Sequence, residues 1–189
     1  MASKIGREEV LLPEIYEKHR QEDTKKIISL KKSRRLSTKT FSFLFESRET
    51  VLNQINEMIL IENIHDENEI QRLISVYSEL LPSKGELSVS MFIEISDENT
   101  LMRELPKLAG IEKTVYITFD GSEIKAIPEE GRSTDVLEST LQYLRFRFNS
   151  SQKEKFLEPH YVYIETRKEG YRESARIDGD LLQSLKKEL

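Results

Sequence analysis

The stretch FSFLFESRETVLNQINEMILI, residues 41–61, contains a change of period that decides how this chain is read. Phe41, Phe43 and Phe45 alternate with smaller or polar residues, the two-residue period of a strand, and aromatic side chains suit a pleated surface. From about residue 49 the period becomes helical: Val51, Leu52, Ile55, Met58 and Ile59 share one face of a helix predicted over residues 49–61. Ser47 stands where an N-cap belongs, and Glu49 complements the helix dipole. A strand running straight into an amphipathic helix is the nucleus of an α+β reading.

Outward from this segment the two periods stay mixed. The strand pattern begins near residue 36. Upstream, Pro13 fits the first turn of a helix, where its missing N–H costs nothing, with Ile15 and Tyr16 as its expected buried positions. The stripe resumes at Ile27, Ile28 and Leu30, but His19, Arg20 and Asp23 interrupt it, which predicts two short helices or one bent one. Downstream, Asp66 and Glu69 make a capping-box pattern before a stripe of Ile70, Leu73, Ile74, Tyr77, Leu80 and Leu81. Leu87, Val89, Met91, Ile93 and Ile95 alternate as the clearest strand.

Ser96 and Asp97 then cap a helix bearing Leu101, Leu105 and Leu108, with Pro106 expected to kink or shorten it. Val115, Ile117 and Phe119 mark another strand, joined to residues 124–127 by the hairpin dipeptide Asp120-Gly121. Residues 128–134 read as an exposed loop, Leu144, Phe146 and Phe148 as a strand, 150–159 as a connection and 160–166 as a last strand. Ile177, Leu181, Leu182, Leu185 and Leu189 close the chain as an amphipathic helix. Without a regular βαβ rhythm, the reading is α+β: a mainly antiparallel or mixed sheet packed by several amphipathic helices. The chain is taken as a single domain over residues 1–189, with an N-terminal helical segment over about 1–33 and an α+β body over about 34–189.

Composition limits the chemistry. At 189 residues the chain can bury a core without cross-links. It has no cysteine, which removes disulfides, thiolate nucleophiles, cysteine-ligated iron–sulfur clusters and zinc fingers. No apolar run approaches the roughly 20 residues that span a bilayer, so membrane insertion is not expected. The absence of disulfides and of an N-terminal apolar segment reads as cytoplasmic. No glycine-rich phosphate loop, nucleophile elbow or paired-histidine motif appears, and His19, His65 and His160 lie far apart, so no cofactor and no metal are called for.

The net charge of −5 argues against a dedicated nucleic-acid binder, although residues 25–35 gather Lys25, Lys26, Lys31, Lys32, Arg34 and Arg35. That run is either a solvated helix face or a nucleic-acid patch. It lacks the interleaved aromatics on which bases stack.

Two polar groups are candidates for binding. At the strand–helix junction, Arg48 offers a planar two-pronged donor beside a helix N-terminus, and Gln54 and Glu57 continue along one stripe. Alternatively Arg48 pairs with Glu46 across a turn and the junction is purely structural. Glu62 would project from the centre of the apolar face if the helix reached it. In the second group, Tyr143, Arg145 and Arg147 share the strand face opposite Leu144, Phe146 and Phe148, as an anion or partner site or simply as a solvated sheet face.

The run from Phe43 to Met58 resembles an uncharacterised bacterial and archaeal family of unknown function. Residues 30–35, 85–87 with 92–95, and 142–146 are similar to it in the same order. The resemblance implies proximity to redox or peroxide metabolism, because such proteins are often encoded beside rubrerythrin-like proteins and heterodisulfide-reductase-like iron–sulfur subunits. It implies no catalytic residues. Residues 165–170 lack the His-Pro that the family carries before its last Tyr, here Tyr171.

Three functional expectations result. The first is an accessory or interaction protein with a redox or iron–sulfur partner. The second is a small-anion-binding domain or enzyme in which Arg35, Glu46, Arg48, Gln54, Glu57 and Arg145 converge. The third is nucleic-acid binding through residues 25–35. Tyr161 and Tyr163 suit either a homodimer surface or a strand buried on both faces.

Overall fold

The structure, a computed structural model, describes residues 4–129 and 139–189; the loop expected after Pro128 therefore lies largely outside the described residues. The fold is α+β, with six helices and two antiparallel sheets among those residues. It divides into two compact units, Met1–Arg34 with Glu46–Lys84, and Arg35–Phe45 with Gly85–Leu189.

The first unit is helical. Its α1, Pro13–Ser33, is one unbroken helix with proline in its first turn. The expected interruption is absent: His19, Arg20 and Asp23 face outward from the helix without breaking it, and Arg20 is tied down by a tertiary partner. Arg20 reaches the carboxylate of Glu57 at 2.8 Å, and Glu22 and Lys26 form an i,i+4 pair at 2.8 Å. Tyr16 is buried as expected, but Ile15 is 47% exposed. The second helix, α2 (Arg48–Ile61), starts at Ser47, whose hydroxyl accepts from Thr50 N. Val51, Ile55 and Ile59 are fully buried. Glu62 is the C-cap and exposed, so the carboxylate expected in mid-face is in solvent. Asp66 caps α3 (Glu67–Ser78) by accepting from Glu69 N at 3.0 Å, and Ile70 and Ile74 pack inward.

The α1 start carries a pH-dependent link. His65 Nε2 lies 2.5 Å from Glu14 Oε1, and Nδ1 lies 3.0 Å from the Asn63 carbonyl. Glu14 first, then the carbonyl, raises the imidazole pKa above its ordinary 6.5. A raised folded-state value means the link contributes fully below 6.5 and is lost as pH climbs through the raised value. A histidine NMR titration is expected to place the His65 midpoint above 6.5, and Glu14→Gln to bring it back down.

The second unit holds both sheets. In the first sheet β1 (Arg35–Ser37), β2 (Phe41–Phe45), β3 (Glu86–Ile93), β7 (Leu141–Arg147) and β6 (Ile127–Pro128) lie in that order. The strand predicted over residues 36–45 is thus a hairpin. In the second sheet the order is β5 (Ser122–Lys125), β4 (Val115–Phe119), β8 (Tyr163–Lys168), β9 (Tyr171–Arg176). Asp120 and Gly121 turn the β4–β5 hairpin with φ of 43° and 71°, the left-handed pair its two-residue loop demands. Phe41, Phe43, Phe45, Val89, Leu144 and Phe146 from the first sheet and Ile117, Phe119 and Ile164 from the second share one buried cluster.

Three helices complete the unit: α4 (Glu98–Leu108), α5 (Ser150–Leu157) and α6 (Gly179–Glu188). Asp97 caps α4 through Thr100 N at 2.8 Å, and the helix ends two residues beyond Pro106. The connection expected over 150–159 contains α5 instead, announced by Asn149 and Gln152, which cap each other's backbone at 2.9 and 3.0 Å. It buries only Phe156, so it has no stripe to recognise. The β9 strand was missed for a similar reason: it is an edge strand with no fully buried residue, entered through Gly170 at φ 79°.

Candidate functional site

Of the six candidate binding residues, Glu46 and Gln54 contact one another, and Arg35, Arg48 and Glu57 hold other partners. Glu46 is 2% exposed; it accepts from the Thr50 hydroxyl and from Gln54 Nε2 at 3.2 Å, and its backbone carbonyl accepts from buried Arg34 at 3.1 Å. Glu46 and Gln54 are therefore brought together. Arg48 donates to Glu9 at 2.5 Å. Glu57 accepts from Arg20 and from the Tyr16 hydroxyl at 2.8 Å.

In the second unit, Arg35 contacts Ser42 and Glu94 at 3.3 Å and lies 4.7 Å from the Phe92 ring centre. Arg145 sits opposite Ser88 on the sheet face shared with Tyr143, as alternation requires, while Leu144 and Phe146 are fully buried. The basic run is divided in use: Arg34 is buried, Lys31 donates to Asn53 at 3.0 Å, and Lys25 and Lys32 are exposed. Tyr163 lies on the half-exposed face of β8 with its ring 6.1 Å from that of exposed Tyr161, so β8 is not buried on both faces.

Three concave surfaces can be compared. The largest, about 720 Å³, lies in the second unit and is lined by Glu94, Asp97, Glu104, Glu169 and Glu173 with Lys39, Lys107 and Tyr171. Most of its carboxylates already have structural work. Glu104 accepts from Tyr171 and Lys107, Glu173 accepts from Thr40 N at 2.9 Å, and Asp97 caps α4. Burial, then Glu104, pushes the Tyr171 phenol up to about 12. A smaller cleft of about 390 Å³ is lined partly by Arg167, which Glu123 and Glu165 hold at 2.8 and 2.6 Å.

The third surface is a groove of about 530 Å³ in the first unit, between α1 and α2. Its walls are Leu11, Tyr16, Ile27, Leu30 and Leu52, and its polar lining includes Asp23, Lys26, Glu49, Asn53 and Asn56. Mostly apolar walls with a few placed polar groups, at this volume, are the features of small-molecule sites.

Among the described residues, most polar groups in the groove have an assigned use; the Asp23 carboxylate and one end of Asn56 are the exceptions. Asn53 donates to the Tyr16 oxygen at 3.0 Å and accepts from Lys31. The Tyr16 hydroxyl donates to Glu57; burial, then that carboxylate, pushes the phenol well above its ordinary range. Arg20, followed by Tyr16, holds the Glu57 carboxyl below the usual range, so the network is intact at neutral pH and fails only as pH falls through that lowered value. Asn56 is 6% exposed, and its Oδ1 accepts from Leu11 N at 3.0 Å. Its Nδ2 has no protein acceptor among the described residues and is not sealed from solvent.

None of the six sequence candidates lines this groove. Sequence reasoning reached the right helix and missed Asn53 and Asn56. The available signal was their type: asparagine is a poor helix former that competes for backbone hydrogen bonds, so two of them inside a helix indicate tertiary partners.

Among the described residues no three His, Cys, Asp or Glu side chains are grouped to hold a metal ion, and no helix is long and apolar enough to cross a membrane. No curated protein matches the sequence. A crystal structure at 1.90 Å resolution of a protein of unknown function from Burkholderia pseudomallei K96243 is similar throughout, with 32% identity, a TM-score of 0.92, and 99% of this chain and 100% of that one covered. The family model described as "Protein of unknown function (DUF3501)" matches residues 4–189, and the chain belongs to that family.

Proposed function

We propose that this protein is an accessory binding protein whose working site is the α1–α2 groove. The carrying observation is the amide of Asn56, a residue only 6% exposed, whose Nδ2 has no protein acceptor among the described residues and opens onto a mostly apolar groove, where a ligand oxygen can take the place of solvent. The groove offers no nucleophile–base pair, which favours binding over turnover. The link to redox or peroxide metabolism rests on the family resemblance alone. A pull-down from native cells that returned no redox protein would remove it.

The groove reading is tested by filling it. Leu52→Trp places an indole in the apolar wall while leaving the caps of α2 untouched. In thermal-shift assays against fractionated cell extract, at least one fraction is expected to raise the Tm of the wild type and not of the Leu52→Trp variant. Equal shifts for both proteins, or none for either, would remove the groove from consideration.

A further inference from the structure

We infer that the groove takes a neutral, apolar small molecule carrying a carbonyl acceptor, whose oxygen receives the Asn56 Nδ2 proton. This rests on the groove being the working site and adds the chemistry of its occupant. Asn56 Oδ1 is committed to Leu11 N at 3.0 Å, so the amide orientation is fixed and the unused end is the donor. Asn53 and Tyr16 cannot substitute, since their polar atoms are committed to each other, Lys31 and Glu57. The site therefore asks for one acceptor on an apolar body.

The charges decide against an anion. Asp23 and Glu49 line the groove, and the neighbouring Lys26 is paired with Glu22 at 2.8 Å. An extended peptide is the less suitable occupant, because it presents an N–H and a C=O at every residue while the groove leaves uncommitted only the Asn56 amide donor and the Asp23 carboxylate. The volume of about 530 Å³ suits a ligand of one to three rings.

The test uses Nile red, a neutral polycyclic dye with one ring ketone, and the anionic dye ANS, titrated into the full-length protein by fluorescence. Nile red is expected to saturate at one per chain, and ANS to bind at least tenfold more weakly. Asn56→Asp keeps the acceptor for Leu11 N and removes the donor; it is expected to weaken Nile red about tenfold or more. Should that variant fail to fold, the wild-type Asn56 side-chain amide protons are followed by NMR and are expected to shift downfield on Nile red addition.

Equal binding of the two dyes, unchanged affinity in Asn56→Asp, or an unmoved Asn56 amide would overturn the inference. Displacement of Nile red by excess N-acetyl-Leu-Leu-N-methylamide would also overturn it, in favour of a peptide site. If an extract fraction acts in a groove-dependent way while Nile red fails, only the ligand class falls. If both fail, the groove reading falls with it.

Discussion

Glu46→Ala is expected to destabilise the helical unit by about 3–5 kcal/mol, the loss typical of removing one member of a buried polar network that includes a charge. Glu46 sits at the junction where β2 gives way to α2, and only 2% of it is exposed. The Thr50 hydroxyl and the Gln54 amide both donate to its carboxylate, and buried Arg34 donates to its backbone carbonyl. Alanine takes this acceptor from the part-buried Gln54 amide and leaves the buried Thr50 hydroxyl with only the Ser47 carbonyl at 3.0 Å, and removing the buried carboxylate also empties its place in the packing. Glu46→Gln retains the shape and one acceptor oxygen, so its loss is expected to be less than half as large. Urea denaturation followed by circular dichroism measures both, and Tm should fall on the order of 10 °C for the alanine variant. A loss below about 1 kcal/mol for Glu46→Ala would mean that the junction is not held by this network.

Phe156→Ala is expected to cost a similar 3–5 kcal/mol, by a different mechanism in the other unit. Phe156 is the one buried residue of α5 and is fully enclosed. Its ring meets Phe119 edge-on, centroids 5.3 Å apart at 85°, and Phe148 at 5.0 Å and 75°. Each such aromatic pair adds about 0.5–1.5 kcal/mol beyond the area it buries, and truncation leaves a cavity that neighbouring strands cannot collapse to fill. Because α5 has no second buried side chain and only polar ties such as Gln152 to the Glu123 carbonyl at 3.2 Å, the helix should also lose protection in amide exchange. Full protection of α5 amides in Phe156→Ala would contradict this account of how the helix is held.

The groove follows from how α1 and α2 divide their residues. Val51, Ile55 and Ile59 occupy the buried stripe of α2, while Leu52, Asn53 and Asn56 turn toward α1. The last third of α1 offers Ile27 and Leu30 to that surface and leaves Ile28 60% exposed. A helix that buries only Pro13 and Tyr16 over its whole length leaves apolar surface free for a ligand.

Much of the secondary structure was legible in the sequence because it depends on neighbours along the chain. The Ser47, Asp66 and Asp97 caps, the alternation of Phe41, Phe43 and Phe45 and the left-handed Asp120-Gly121 turn all arise within a few residues. The α5 helix and β9 strand were not legible, since one buries a single side chain and the other none completely. The polar candidates were partly legible. Gln54 and Glu57 lie on α2 as expected and Glu46 at the strand–helix junction, but their partners lie up to 41 positions away, as between Glu57 and Tyr16.

By itself, then, the sequence determined the α+β class, the placement of most caps and strands and the absence of cysteine chemistry, because local sterics and periodicity act before any tertiary contact forms. Only the tertiary structure decided which ionisable groups neutralise one another and which donor is left over. Glu9 lies 39 positions from Arg48 along the chain, and only packing brings the two to 2.5 Å. Asn56 is one of several asparagines in the sequence, and its unmet amide exists only because Leu11 N occupies its other end.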